Sequence, residues 1–178
     1  MVVNARELLD RYQATADEGV FVAAKAGYES ALPGTGDPAT VADYGYLLEC
    51  HARNLRREAV GQYERAIELD PGWDKVRYQL IHAKAALFEP HDAIADHRRR
   101  LAATPDDVRE HRFLAYALLV AREYRKAAAV VEAGLRLTGE DRKLIEFRGD
   151  VRAGLGDPDG ALADWRHAVE LDPTDISP

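Results

Sequence analysis

The sequence predicts an all-α fold built as a stack of helix pairs, and three observations carry that expectation. The segment Tyr63-Glu-Arg-Ala-Ile-Glu-Leu-Asp-Pro71 returns almost unchanged as Trp165-Arg-His-Ala-Val-Glu-Leu-Asp-Pro173. Pro71, Pro105, Gly139 and Pro173 follow one another at intervals of 34 residues. Ala59, Ala93, Ala127 and Ala161 keep the same interval. A fixed period of this length marks repeated supersecondary units that bury their apolar faces against one another.

Four contiguous units follow from that period: 40–73, 74–107, 108–141 and 142–175. In each, the alanine is followed four residues later by Tyr63, His97, Val131 or Trp165. Eight residues after it stands Ile67, Leu101, Leu135 or Val169. Steps of four keep all three positions on one face of a helix. The upstream half of each unit holds a second column, Leu47, Ile81, Ala115 and Gly149. Small residues there let two antiparallel helices approach closely. Each unit therefore reads as helix, short turn, helix. Residues 5–39 read as a degenerate fifth copy, with Gly19-Val-Phe-Val-Ala-Ala24 entering its second helix and Pro33-Gly-Thr-Gly-Asp-Pro38 as its exit turn. That makes ten helices in one domain spanning 1–178.

Punctuation supports the boundaries. Asp70-Pro71, Thr104-Pro105 and Asp157-Pro158 each place a capping side chain before a proline suited to a first helical turn. Thr40-Val-Ala-Asp43 has the form of a capping box, and Glu89-Pro90 marks another helix start.

Composition narrows the function classes. The 178 residues are 47% hydrophobic and 31% charged, an ordinary globular balance. A net charge of −7 argues against nucleic-acid binding, which requires a basic surface to displace counterions. The single cysteine, Cys50, cannot form an internal disulfide, so a reducing compartment such as the cytoplasm is expected. No secretion signal is read at the start and no membrane-spanning run anywhere, so no membrane partner is expected.

These units resemble tetratricopeptide repeats. The likeness rests on the 34-residue period, the alanine column, Tyr63 and Trp165, and Pro71, Pro105 and Pro173. It implies a right-handed superhelical solenoid of about five helix pairs whose first helices line a groove, and in that family the groove commonly holds an extended peptide or a partner helix. Departures from the pattern are Asp43, Arg77 and His111 early in first helices, and His97 and Arg100 in unit 74–107. Arg100 is expected to reach solvent or a carboxylate such as Asp96.

No residue pattern points to catalysis, a metal or a cofactor. HExxH and CxxC are absent, and His91 and His97 fall on different helix faces. Cys50 reads as a small buried apolar residue, and His51 as polar lining or packing. Gly34-Thr-Gly36 lacks the strand that a phosphate loop needs.

The groove is the informative part. Its wall is expected to include Tyr44, Lys75, Tyr78, Gln79, His82, Arg109, Arg112 and Tyr116. By segment the charge is −5 over 1–73, +1 over 74–141 and −3 over 142–178 (7 basic against 12 acidic residues, 12 against 11, 5 against 8). The middle of the groove thus reads as aromatic and comparatively basic. Tyrosine and arginine are frequent interface anchors, and paired arginines suit a carboxylate. The expected function is a non-enzymatic interaction module for an extended, acidic or C-terminal peptide. On that reading Arg112→Glu abolishes capture and leaves melting unchanged. The competing reading pairs Arg109 and Arg112 with local acids such as Asp106 and Glu110. A second class of function is a scaffold: Leu162, Trp165 and Val169 are expected to leave the last helix open for a homodimer.

Overall fold

The computed structural model describes residues 4–35, 37–87 and 90–173. The expected helix start at Glu89, the Gly36 part of the first exit turn and the tail after Pro173 lie outside these residues. Nine α-helices and no strand occur among the described residues. They are α1 (Ala5–Thr15), α2 (Glu18–Ala31), α3 (Pro38–Leu69), α4 (Asp74–Ala86), α5 (Pro90–Ala103), α6 (Val108–Val120), α7 (Tyr124–Thr138), α8 (Arg142–Leu155) and α9 (Pro158–Leu171). A 3-10 turn, Leu32–Gly34, follows α2. No helix among the described residues is long and apolar enough to cross a membrane. The chain divides into two compact units, Met1–Ala59 and Val60–Pro178.

The first unit contains α1, α2 and the larger part of α3. Asn4 starts α1 by accepting the Arg6 backbone N–H at 3.0 Å. Asp17 does the same for α2 through Val20 N–H at 2.9 Å. Each satisfies a donor that a helix start leaves unpaired. Leu9, Tyr12, Phe21, Ala24, Tyr28 and Leu47 form the core, with Cys50 beside them, buried as a small apolar residue. His51 is a packing residue: its ring lies flat on Phe21 at 3.6 Å, and its Nδ1 is 3.0 Å from the Tyr12 hydroxyl.

Unit 40–73 departs from expectation. Instead of a helix, a turn and a helix, it forms the single 32-residue helix α3. The reason is local. The place for a turn, Ala52-Arg-Asn-Leu-Arg-Arg-Glu-Ala59, contains neither glycine nor proline and is rich in strong helix formers. In the last unit the break is encoded by Gly156, at φ 88, ahead of Pro158, whereas in unit 108–141 the chain turns at Arg122, at φ 59, without a glycine or proline.

Two capping assignments also change. Asp37, not Thr40, starts α3: its Oδ1 accepts Ala39 N–H and its Oδ2 accepts Thr40 N–H, each at 3.1 Å. Pro71 and Pro105 precede α4 and α6 by three residues and sit in turns, while Asp107 caps α6. Of the three expected cap–proline pairs Asp157-Pro158 alone starts a helix, and Asp37-Pro38 does the same for α3.

The second unit packs α4 with α5, α6 with α7 and α8 with α9, and brings α4, α6 and α8 side by side. The alanine column explains the close packing: Ala93 is 6% exposed, Ala127 and Ala161 are 0%. Gly149 serves the same end. A Cβ there would lie 2.5 Å from the Trp165 indole nitrogen. The irregular residues of unit 74–107 are accommodated. His97 is buried and bonded to Glu110 at 2.7 Å, and Arg100 reaches outward to Asp96 at 2.9 Å.

Candidate interaction face

In the second unit the 34-residue register places like positions of α4, α6 and α8 in rows. Tyr78, Arg112 and Glu146 form one row, and His82, Tyr116 and Asp150 another. Gln79, Phe113 and Phe147 form a third, and Lys75, Arg109 and Lys143 a fourth. Because first helices are neighbours, these rows run across one continuous face.

At its centre four rings meet. Tyr78 lies 5.1 Å from Phe113 and 5.1 Å from Tyr116, edge to face with the latter. Phe147 sits 5.8 Å from Tyr116 and 6.2 Å from Tyr78. Phe113 and Phe147 are buried, while the two tyrosines are half-buried. Burial raises the Tyr78 and Tyr116 hydroxyl pKa values above the ordinary phenol range, so both stay neutral donors.

The arginines on either side are already held. Arg112 donates from Nε to Asp141 Oδ1 at 3.1 Å and from Nη2 to Asp141 Oδ2. Asp141 is itself the N-cap of α8, accepting Leu144 N–H at 3.0 Å. Arg109 donates from Nε to Asp74 at 3.0 Å and from Nη2 to Asp74 and to the Gly72 carbonyl, the latter at 3.3 Å. Lys143 bridges to Glu146 at 3.0 Å, and the Trp165 indole N–H donates to Asp150 at 3.0 Å. Burial pushes the Asp150 carboxyl above its ordinary range, partly offset by that bond.

The basic middle expected from sequence is therefore corrected. Asp74, Asp141, Glu146 and Asp150 interleave with the cations, so the face is close to charge-balanced. The arginines' partners are Asp74 and Asp141, not Asp106 or Glu110. Sequence distance hid them: Arg112 and Asp141 are 29 residues apart and Arg109 and Asp74 are 35 apart, so they meet only once the helices stack. The expectation that Arg112→Glu leaves stability unchanged fails for the same reason, because a second carboxylate would face buried Asp141.

Of the other expected wall residues, Lys75, Gln79 and His82 are exposed on α4. Tyr44 lies in the first unit, where its hydroxyl donates to Glu29 at 3.1 Å and its ring tilts against Tyr28. Leu162 and Val169 on α9 are exposed, and Trp165 is 37% exposed over Gly149. No cluster of metal-binding side chains occurs among the described residues.

No family model and no curated protein matches the chain. Solved structures do. TTC0263, a thermophilic TPR protein of Thermus thermophilus, superposes with a TM-score of 0.52 at 18% identity, over 97% of this chain and 93% of that one. YrrB, described as a TPR protein with an unusual peptide-binding site, gives 0.49 at 17% identity, over 97% and 88%. A MamA fragment from Desulfovibrio magneticus gives 0.48 at 18%, over 99% of both chains. The chain is an α-helical repeat protein. Its fold is of the tetratricopeptide type, as the residue columns imply.

Proposed function

We propose that the chain is a protein-interaction module, not an enzyme, that takes an extended segment of a partner across the α4–α6–α8 face. One observation carries the reading: four rings converge at the centre of rows of side chains presented at repeat spacing. Tyr78 and Tyr116 supply amphipathic contact area with a hydroxyl donor. Arg112 is held in one orientation by Asp141 through Nε and Nη2, which leaves the N–H groups of Nη1 for a carbonyl or carboxylate of the partner. Preorientation of that kind lowers the entropic cost of binding. Because the built-in charges balance, the preference for an acidic or C-terminal segment rests on exposed Lys75 and His82 together with Arg112.

Fluorescence anisotropy tests the reading. Labelled extended peptides of acidic, neutral and basic composition, with free and amidated C-termini, are titrated with the full chain. Acidic or free-carboxylate peptides bind best, and Lys75→Glu with His82→Glu weakens them at least tenfold without altering helicity, since neither side chain is packed. The reading fails if no peptide class binds, or if binding is indifferent both to this charge reversal and to Tyr116→Ala.

A further inference from the structure

The long helix α3 carries an apolar seam that nothing in its own unit covers. Val41, Leu48 and Leu55 are 52%, 39% and 51% exposed, unusual for large aliphatic side chains spaced evenly along one helix. They are seven residues apart, and Gly45, Ala52 and Ala59 follow each by four. This is the heptad pattern of a two-stranded coiled coil, with small residues at one core position and large ones at the other. The seam is open at Gly45 too, where an added Cβ would meet nothing within 4 Å.

The repeat register says what is missing. In the other three units the helix that carries the column alanine packs on the first helix of its own pair, and Ala93, Ala127 and Ala161 are at most 6% exposed. Ala59 is only half-buried, because α3 continues as helix through the place where the other units turn, so no first helix of its own pair covers it.

We propose that a second copy of this chain supplies the missing cover, its α3 lying antiparallel on the first. An antiparallel pair centred between Ala52 and Leu55 sets each large residue on a small one. Leu55 meets Ala52 of the partner subunit, and Leu48 meets Ala59 of the partner subunit. By the twofold symmetry each contact occurs twice, as an isologous dimer requires. The same register faces exposed Glu49 with Arg56 of the partner subunit, opposite charges flanking the seam. A parallel arrangement would instead stack leucine on leucine and alanine on alanine, and would lose the Glu49–Arg56 match. Size and charge both select the antiparallel second copy, and the proposal stands independently of the peptide reading of α4–α8.

Light scattering of the full chain at 10–100 μM, concentrations on the order of those at which weak homodimers assemble, tests it with three variants. The expected mass is twice 19.8 kDa, falling to 19.8 kDa for Leu48→Glu/Leu55→Glu with helicity retained. Trp165→Asp on α9 is expected to leave the dimer intact. In a Cys50→Ala background, Leu48→Cys/Ala59→Cys is expected to crosslink between chains. These two positions are about 16 Å apart along one helix, beyond the reach of an internal disulfide. Leu48→Cys alone is expected not to crosslink. A monomeric wild type overturns the proposal, as does a dimer that survives the glutamates or is lost in Trp165→Asp. Crosslinking by Leu48→Cys alone overturns the antiparallel arrangement. Should the glutamate variant fail to fold, the cysteine pair decides.

Discussion

Asp141 joins two functions in one side chain, and its removal separates them. It caps α8 through Leu144 N–H at 3.0 Å and grips the Arg112 guanidinium through both carboxylate oxygens. It is 8% exposed, so water cannot replace either role. Losing an N-cap costs about 1 kcal/mol. Losing charge-assisted bonds to a partner that stays half-exposed costs roughly 1.5–3 kcal/mol. Asp141→Ala is therefore expected to destabilise the second unit by about 2.5–4 kcal/mol. At roughly 3 °C per kcal/mol for a unit of this size, that is a fall in Tm of about 8–12 °C. Asp141→Asn keeps a capping oxygen and loses the charge, so it should recover about 1 kcal/mol of the deficit. Thermal denaturation of the full chain followed by circular dichroism measures both. An Asp141→Ala change within 0.5 kcal/mol of wild type, the range of an ordinary surface substitution, would refute the reasoning. Equal losses for the alanine and asparagine variants would refute the capping part alone.

Three further outcomes are expected. Gly149→Ala places a Cβ against the Trp165 ring and should cost about 1–3 kcal/mol, with a red shift in tryptophan emission as the indole is displaced; unchanged emission and melting would contradict the packing. Ala127→Leu overfills a site with 0% exposure and should cost a similar amount by urea denaturation, about 1–3 kcal/mol. Asp150 has a carboxyl pKa raised by burial, so ionisation costs more in the folded chain than in the unfolded one. The stability it contributes relative to an ordinary carboxylate is present below the unfolded value of 3.8 and lost as pH rises through the folded value. Asp150→Asn, which still accepts the Trp165 N–H, should thus raise stability at pH 7 relative to wild type and lose that advantage near pH 3; a pH-independent difference would count against it.

Much of the fold is legible in the sequence because packing columns repeat. Ala93, Ala127 and Ala161 announce the helix pairs, since a larger side chain at any of them would clash with the facing helix. Their buried positions confirm that reason rather than a mere pattern. The candidate face is legible in part. Tyr78, Arg112 and Tyr116 follow from the register, but the carboxylates that fix the arginines do not. A salt bridge across stacked helices depends on rotamers and on which turn of one helix faces which turn of the next. Neither leaves a trace in residue spacing.

By itself, then, the sequence determined the period, the helical class and the composition of each face, because local propensity and apolar spacing act over one or two turns. The three-dimensional structure decided what those rules leave open. It turned unit 40–73 into one helix, where neither glycine nor proline interrupts Ala52–Ala59. It also gave Arg109 and Arg112 their partners, through contacts between residues 35 and 29 positions apart. Such long-range encounters exist only after the pairs have stacked, and they convert a basic stripe on paper into a balanced, preoriented surface.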